Sequence, residues 1–128
     1  MSGTRLKFFI QKHKTGHPHY DLKLETGGIL RSWILPKAIP TTDNKVRLAI
    51  EDKEDTDGYI SPEGGIVEDG YGVGEAEVWD RGIYELGKNS KSKVEFEAKG
   101  EKLSGKFVLL LPNWGRRYKK RLWVFIKA

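Results

Sequence analysis

Apolar and polar side chains alternate along this chain in short runs, and turn-forming residues separate one run from the next. From Lys7 the pattern places Phe8 and Ile10 on one face and Phe9, Gln11 and His13 on the other. From His19 it places Tyr20, Leu22 and Leu24 on one face and His19, Asp21 and Lys23 on the other. Thr26-Gly27-Gly28 supplies a hairpin turn, Ile29 to Leu35 returns, and Pro36 stops the strand. Val46, Leu48 and Ile50 alternate next, with Arg47 and Ala49 on the opposite face. Further strands are expected at Glu75–Trp79, ending in a turn at Asp80-Arg81-Gly82, and at Lys93–Lys99, Lys106–Leu111 and Leu122–Ile126. The glycines at 64, 65, 70, 72 and 74 read as turns and bulges. They lack the strand–glycine–helix context and the Gly-Lys-Ser/Thr ending of a phosphate-cradling loop. No window carries a long helical period, although a short helix near Lys99–Leu103 stays open. About eight short strands at close spacing make a sandwich or a small barrel, and closure would remove exposed edges. The expected fold is mainly all-β, a compact closed or nearly closed barrel of about eight short antiparallel strands.

At 128 residues the chain suits one domain, spanning 1–128, with one core. It has no cysteine, which excludes a disulfide framework, a thiolate metal site and a cysteine nucleophile. Its longest uncharged apolar run, Phe107 to Pro112, is far shorter than the roughly 20 residues of a membrane-spanning helix. No signal-like apolar stretch follows Met1, so a cytoplasmic protein without membrane partners is the default expectation. The net charge of +5 permits a polyanionic partner without demanding one. Its distribution says more. Arg116, Arg117, Lys119 and Lys120 cluster around Tyr118 between two apolar strands, and Trp114 precedes them in an expected loop. These five are the candidate nucleic-acid-binding residues, the cations for phosphates and Trp114 for stacking; the competing reading is a solvated turn.

All three histidines fall within seven positions, at 13, 17 and 19, and Asp21 follows two residues after the last. A turn at Gly16-His17-Pro18 could fold His13 back beside His19 and Asp21. Two imidazoles and one carboxylate with open coordination positions can hold a divalent metal that also contacts a substrate oxygen. The competing reading is a hydrogen-bonded strand surface.

A longer set of motifs carries a resemblance. Gln11-Lys12-His13, His19-Tyr20-Asp21-Leu22-Lys23-Leu24-Glu25, Gly28 to Trp33, Pro36-Lys37, Arg47-Leu48-Ala49-Ile50, Glu63 to Ile66, Gly70 to Gly74, Val78 to Gly82 and Trp123 to Lys127 occur in order. Together they resemble the 3'-phosphoesterase family, the end-healing domain of bacterial DNA ligase D with free-standing archaeal relatives. The resemblance implies a β-barrel enzyme using Mn²⁺, other divalent metals being possible. It would act on DNA or primer–template 3' ends, removing a terminal ribonucleoside and then the 3'-phosphate, beside a ligase or polymerase repair partner. It implies His13, His19 and Asp21 as metal ligands. Lys23, Lys37 and Arg47 become phosphate ligands, and Gln11 and Tyr59 further active-site residues. Lys23 stands where the family usually has arginine, keeping the charge but losing the bidentate fork. His17 acquires no role. Trp33, Trp79 and Trp123 read as core.

One position departs from the pattern. Asp55 stands where the family often carries an active-site histidine, and a carboxylate there repels phosphate and donates no hydrogen bond at neutral pH. Asp55 therefore bears on the phosphomonoesterase step above all. It keeps open a second function, a catalytically weakened relative that binds nucleic-acid ends or a repair partner.

Overall fold

The computed structural model describes residues 6–14, 18–26, 29–37, 39, 46–52, 65–69 and 72–128. Among these residues nine strands run in chain order: β1 (Leu6–Lys14), β2 (His19–Thr26), β3 (Ile29–Leu35), β4 (Val46–Glu51), β5 (Gly65–Asp69), β6 (Gly72–Asn89), β7 (Lys93–Gly100), β8 (Ser104–Leu110) and β9 (Leu122–Lys127). A single 3₁₀ turn, Asn113–Arg117, links β8 to β9, and no α-helix occurs among the described residues. The sheet order is β1-β2-β3-β4-β9-β8-β7-β6-β5, and β1 also pairs with β6. That pairing closes eight strands into an antiparallel barrel, while β5 adds to the free first part of β6. The barrel expected from the alternation is therefore what forms, and Lys99–Leu103 ends β7 and turns rather than making a helix.

The core fills the barrel interior with alternate residues of the eight barrel strands. Phe8, Ile10, Leu22, Leu24, Trp33, Ala49, Phe96, Phe107, Trp123 and Phe125 all belong to one buried cluster. Trp33 and Trp123 are fully buried and meet edge to face, with centroids 5.6 Å apart. Full burial of such a side chain stabilises the fold by on the order of 3 kcal/mol. Arg47 and Ala49 lie opposite Phe125 and Trp123 in the β4–β9 register. The interior side of β4 is therefore the one with Arg47 and Ala49, and Val46 and Leu48 are left exposed.

The second half of the chain departs from the expected strand limits. Asp80-Arg81-Gly82 makes no turn; it lies inside the 18-residue β6, opposite Ile10, Phe9 and Phe8. Gly82 is there because β6 passes from β1 to β7 at this point. A Cβ on Gly82 would collide with the carbonyl oxygen of Lys99. Asp80 is there for its carboxylate, which is buried. Oδ1 accepts from the backbone N–H of Arg81 at 2.9 Å and Glu101 at 3.0 Å, and Oδ2 from Lys102 at 3.0 Å and Leu103 at 2.6 Å. The turn-like tripeptide thus fastens a turn elsewhere, between β7 and β8. Beside it, the β1–β6 register jumps from Ile10–Asp80 to Gln11–Val78, leaving Trp79 as a bulge residue. The bulge lets consecutive residues serve the interior side, since Trp79 also packs against the core and meets Tyr20 edge-on at 5.7 Å.

Candidate metal centre on the outer face of the barrel

β1 and β2 pair with His13 opposite His19, Gln11 opposite Asp21 and Phe9 opposite Lys23. Residues directly opposite in an antiparallel pair share a face. With Phe8, Ile10, Leu22 and Leu24 turned into the core, the other six side chains sit together on the outer face. β3 extends that face through Ser32, opposite Lys23, and Ile34, opposite Asp21. Although outward-facing, the patch is not solvated: Gln11, His13, His19, Asp21, Lys23 and Ser32 are all buried.

Each histidine turns its Nε2 toward the carboxylate. His13 Nε2 lies 3.0 Å from Asp21 Oδ2, and His19 Nε2 lies 3.6 Å from Asp21 Oδ1. The imidazole centroids are 4.7 Å apart at an interplanar angle of 46°. One donor atom from each of His13, His19 and Asp21 falls within a 4.8 Å span. Asp21 Oδ1 is buried and accepts no hydrogen bond among the described residues, although a buried carboxylate oxygen is costly to leave so. A bound cation would account for both the convergence and that oxygen, and two imidazole nitrogens with one carboxylate suit a divalent first-row metal. The donor set therefore fits such an ion.

The other expected site residues are placed as follows. Lys23 donates from Nζ to Ser32 Oγ at 3.2 Å, so the ammonium is held on the metal face two positions from Asp21. Ser32 was missed at the level of sequence; its signal was its place in the hairpin that returns beside Lys23. Gln11 brings Oε1 within 3.5 Å of His13 Nε2, the nitrogen that also faces Asp21. It thus borders the donor atoms. Lys37 and Arg47 come together elsewhere. Among the described residues β3 and β4 pair at Trp33–Glu51 and Ile34–Ile50, with no pair beyond Ile34. Lys37 and Arg47 line a pocket with Pro36, Val46 and Leu48. Arg47 Nη1 donates to the Val46 carbonyl at 3.1 Å, while its buried Nε has no acceptor among the described residues. None of His13, His19 and Asp21 lines this pocket. Tyr59, Asp55 and His17 lie outside the described residues.

The basic segment is exposed, which a contact surface and a solvated turn share. Trp114 is half-exposed in the 3₁₀ turn, with Arg116, Arg117, Lys119 and Lys120 exposed around it. The segment reaches the metal face indirectly. Lys119, Lys120 and Arg121 share a pocket with Glu51 and Asp52, and the Asp52 N–H donates to the Ser32 carbonyl at 2.9 Å.

Fold and site together define a small closed barrel with a buried divalent-metal donor set on its outer wall. Residues 11–111 match the model of the DNA ligase D 3'-phosphoesterase domain. The chain is 37% identical over 129 residues to the multifunctional non-homologous end joining protein LigD of Pseudomonas aeruginosa, covering 96% of this chain and 15% of that protein. It is 33% identical over 126 residues to the multifunctional non-homologous end joining DNA repair protein LigD of Mycobacterium tuberculosis, covering 95% of this chain and 17% of that protein. The chain belongs to the DNA ligase D 3'-phosphoesterase domain family, and it spans about one sixth of the length of these relatives.

Proposed function

We propose that this protein is a divalent-metal-dependent phosphoesterase that heals DNA 3' ends, removing a terminal ribonucleoside, a 3'-phosphate or both to leave a 3'-hydroxyl for end joining. The observation that carries this reading is the buried convergence of His13, His19 and Asp21 in a chain of this family. The ion held there, Mn²⁺ or another divalent metal, would polarise a phosphate oxygen as a Lewis acid.

The chain's own residues do the rest. Asp21 and the two imidazoles fix the donor atoms on two paired strands, so the site is assembled before substrate arrives. Lys23, braced by Ser32, presents a fixed positive charge to the phosphate oxygens. Lys37 and Arg47 would neutralise phosphate from the pocket they share, and the Arg47 Nε supplies a donor whose acceptor would be the substrate. Gln11 borders the donor atoms and can hydrogen-bond the scissile group. Tyr59 is a further hydrogen-bond donor in this scheme, and Asp55 counts against the monoesterase step. Trp114, Arg116, Arg117, Lys119 and Lys120 would grip the nucleic acid beyond Ser32, and a ligase or polymerase would take over the healed end. The proposed setting is the cytoplasm.

The test supplies Mn²⁺ and two primer–templates, one ending in a single ribonucleotide and one in a 3'-phosphate. Cleavage of at least one is expected, and His13→Ala should abolish it. Cleavage of only the first identifies a diesterase that has lost the monoesterase step at Asp55. No cleavage of either at enzyme excess refutes the enzyme and leaves the end-binding relative, which Asp55 favours.

A further inference from the structure

The outer face does not end at Lys23. On β1 it continues through Phe9 to Lys7, and on β2 through Lys23 to Glu25, since these residues share the spacing of two that puts His13 and Asp21 there. On β6, Arg81 is opposite Phe9 and Ile83 opposite Lys7. These strands enclose a surface pocket lined by Lys7, Phe9, Glu25, Arg81, Gly82 and Ile83, among others. Phe9 is buried to 7% exposure and forms a firm floor, while Lys7 and Arg81 are exposed at the rim. The Arg81 backbone N–H donates to Asp80 Oδ1 at 2.9 Å, which anchors the main chain of β6 beside the pocket.

The distances suit a nucleotide chain. Asp21 to Lys23 is two residues along β2, about 7 Å, and Lys23 to Arg81 is two strands across, about 10 Å. A strand with its terminal phosphate at His13, His19 and Asp21 and its backbone passing Lys23 would bring its next phosphates over the pocket. We infer that the Lys7–Arg81 pocket binds the nucleic-acid backbone immediately upstream of the reacting 3' end. It is a subsite for the neighbouring phosphates, separate from the metal centre and from the basic segment at 116–121. This rests on the 3'-end reading for the identity of the strand, but not for its binding. Glu25, half-buried among these cations, opposes any phosphate and keeps the pocket from being a general anion trap.

The probe is a fluorescent primer–template ending in a 3'-phosphate, bound to the full chain in Mn²⁺-free buffer with chelator and titrated with salt. Removing both cations (Lys7→Ala with Arg81→Ala) should weaken binding about tenfold at low salt and reduce the salt slope by about 1.5, the loss of two phosphate contacts. Removing two lysines at the far end of β6 and beyond it (Lys88→Ala with Lys91→Ala) corrects for net charge and should cost less than threefold. Glu25→Gln should tighten binding two- to threefold. Equal weakening in both double variants, or no binding by the wild-type chain, overturns the subsite. A chain that binds this way yet cleaves neither primer keeps the subsite and loses the phosphoesterase reading.

Discussion

Asp21→Asn separates a metal ligand from a structural ion pair, because the two readings predict stability changes in different buffers. In chelator, the amide of the Asp21→Asn variant would still offer an oxygen to His13 Nε2, now 3.0 Å from Asp21 Oδ2, and the buried charge would be gone. Asp21 Oδ1 accepts no hydrogen bond among the described residues, so little is forfeited on that side. The variant should fall within about 1 kcal/mol of the wild type without metal. A structural ion pair with protonated His13 would instead cost about 3–5 kcal/mol when broken. With Mn²⁺ at a hundredfold above its dissociation constant, the wild type should gain about 2.7 kcal/mol. For a chain of this length that is a melting shift of about 8–13 °C. The variant should gain less than a third of it. Differential scanning fluorimetry in EDTA and across an Mn²⁺ titration reads both quantities. An Asp21→Asn chain that gains as much as the wild type, or that loses 3 kcal/mol in EDTA, refutes the assignment of Asp21 as a ligand.

Three other outcomes follow from the packing. Asp80→Ala removes an acceptor shared by four backbone N–H groups and should destabilise the fold by about 3–4 kcal/mol in urea denaturation; a loss under 1 kcal/mol would show that water replaces the carboxylate easily. Ser32→Ala should reduce kcat by about tenfold through a freed Lys23, with partial recovery in Ser32→Thr and under 1.5 kcal/mol lost in stability; unchanged kcat would remove Ser32 from the site. Gly82→Ala should lower soluble yield or cost at least about 3 kcal/mol, since its Cβ meets backbone; a variant as stable as wild type would mean that β6 and β7 can separate at no cost.

The sequence showed the first hairpin well and the long β6 badly, for one physical reason. In β1 and β2 the local alternation and the tertiary faces agree, so His13, His19, Asp21 and Lys23 could be grouped without coordinates. In β6 the residues answer to distant partners. Asp80 caps a turn at 101–103, Gly82 makes room for Lys99, and Trp79 is a bulge residue opposite β1. Asp80 and Gly82 look like local turn signals and are not, and the bulge at Trp79 leaves no mark in the alternation. Arg47 shows a third case. Its strand was legible, but the side β4 turns inward is decided by Phe125 and Trp123, far along the chain.

The pairing of β1 with β2 has an evolutionary consequence. Paired residue numbers there always sum to 32, so even numbers meet even and odd meet odd. Even positions from 8 to 10 and from 20 to 24 supply the interior, and odd positions from 7 to 13 and from 19 to 25 supply the outer wall with the candidate metal donors. Selection can therefore act on each set almost independently. A deep mutational scan scored once for abundance and once for 3'-end processing should yield two interleaved profiles along these strands, out of step by one residue. A lineage could replace the chemistry of the odd set while the even set keeps the barrel intact.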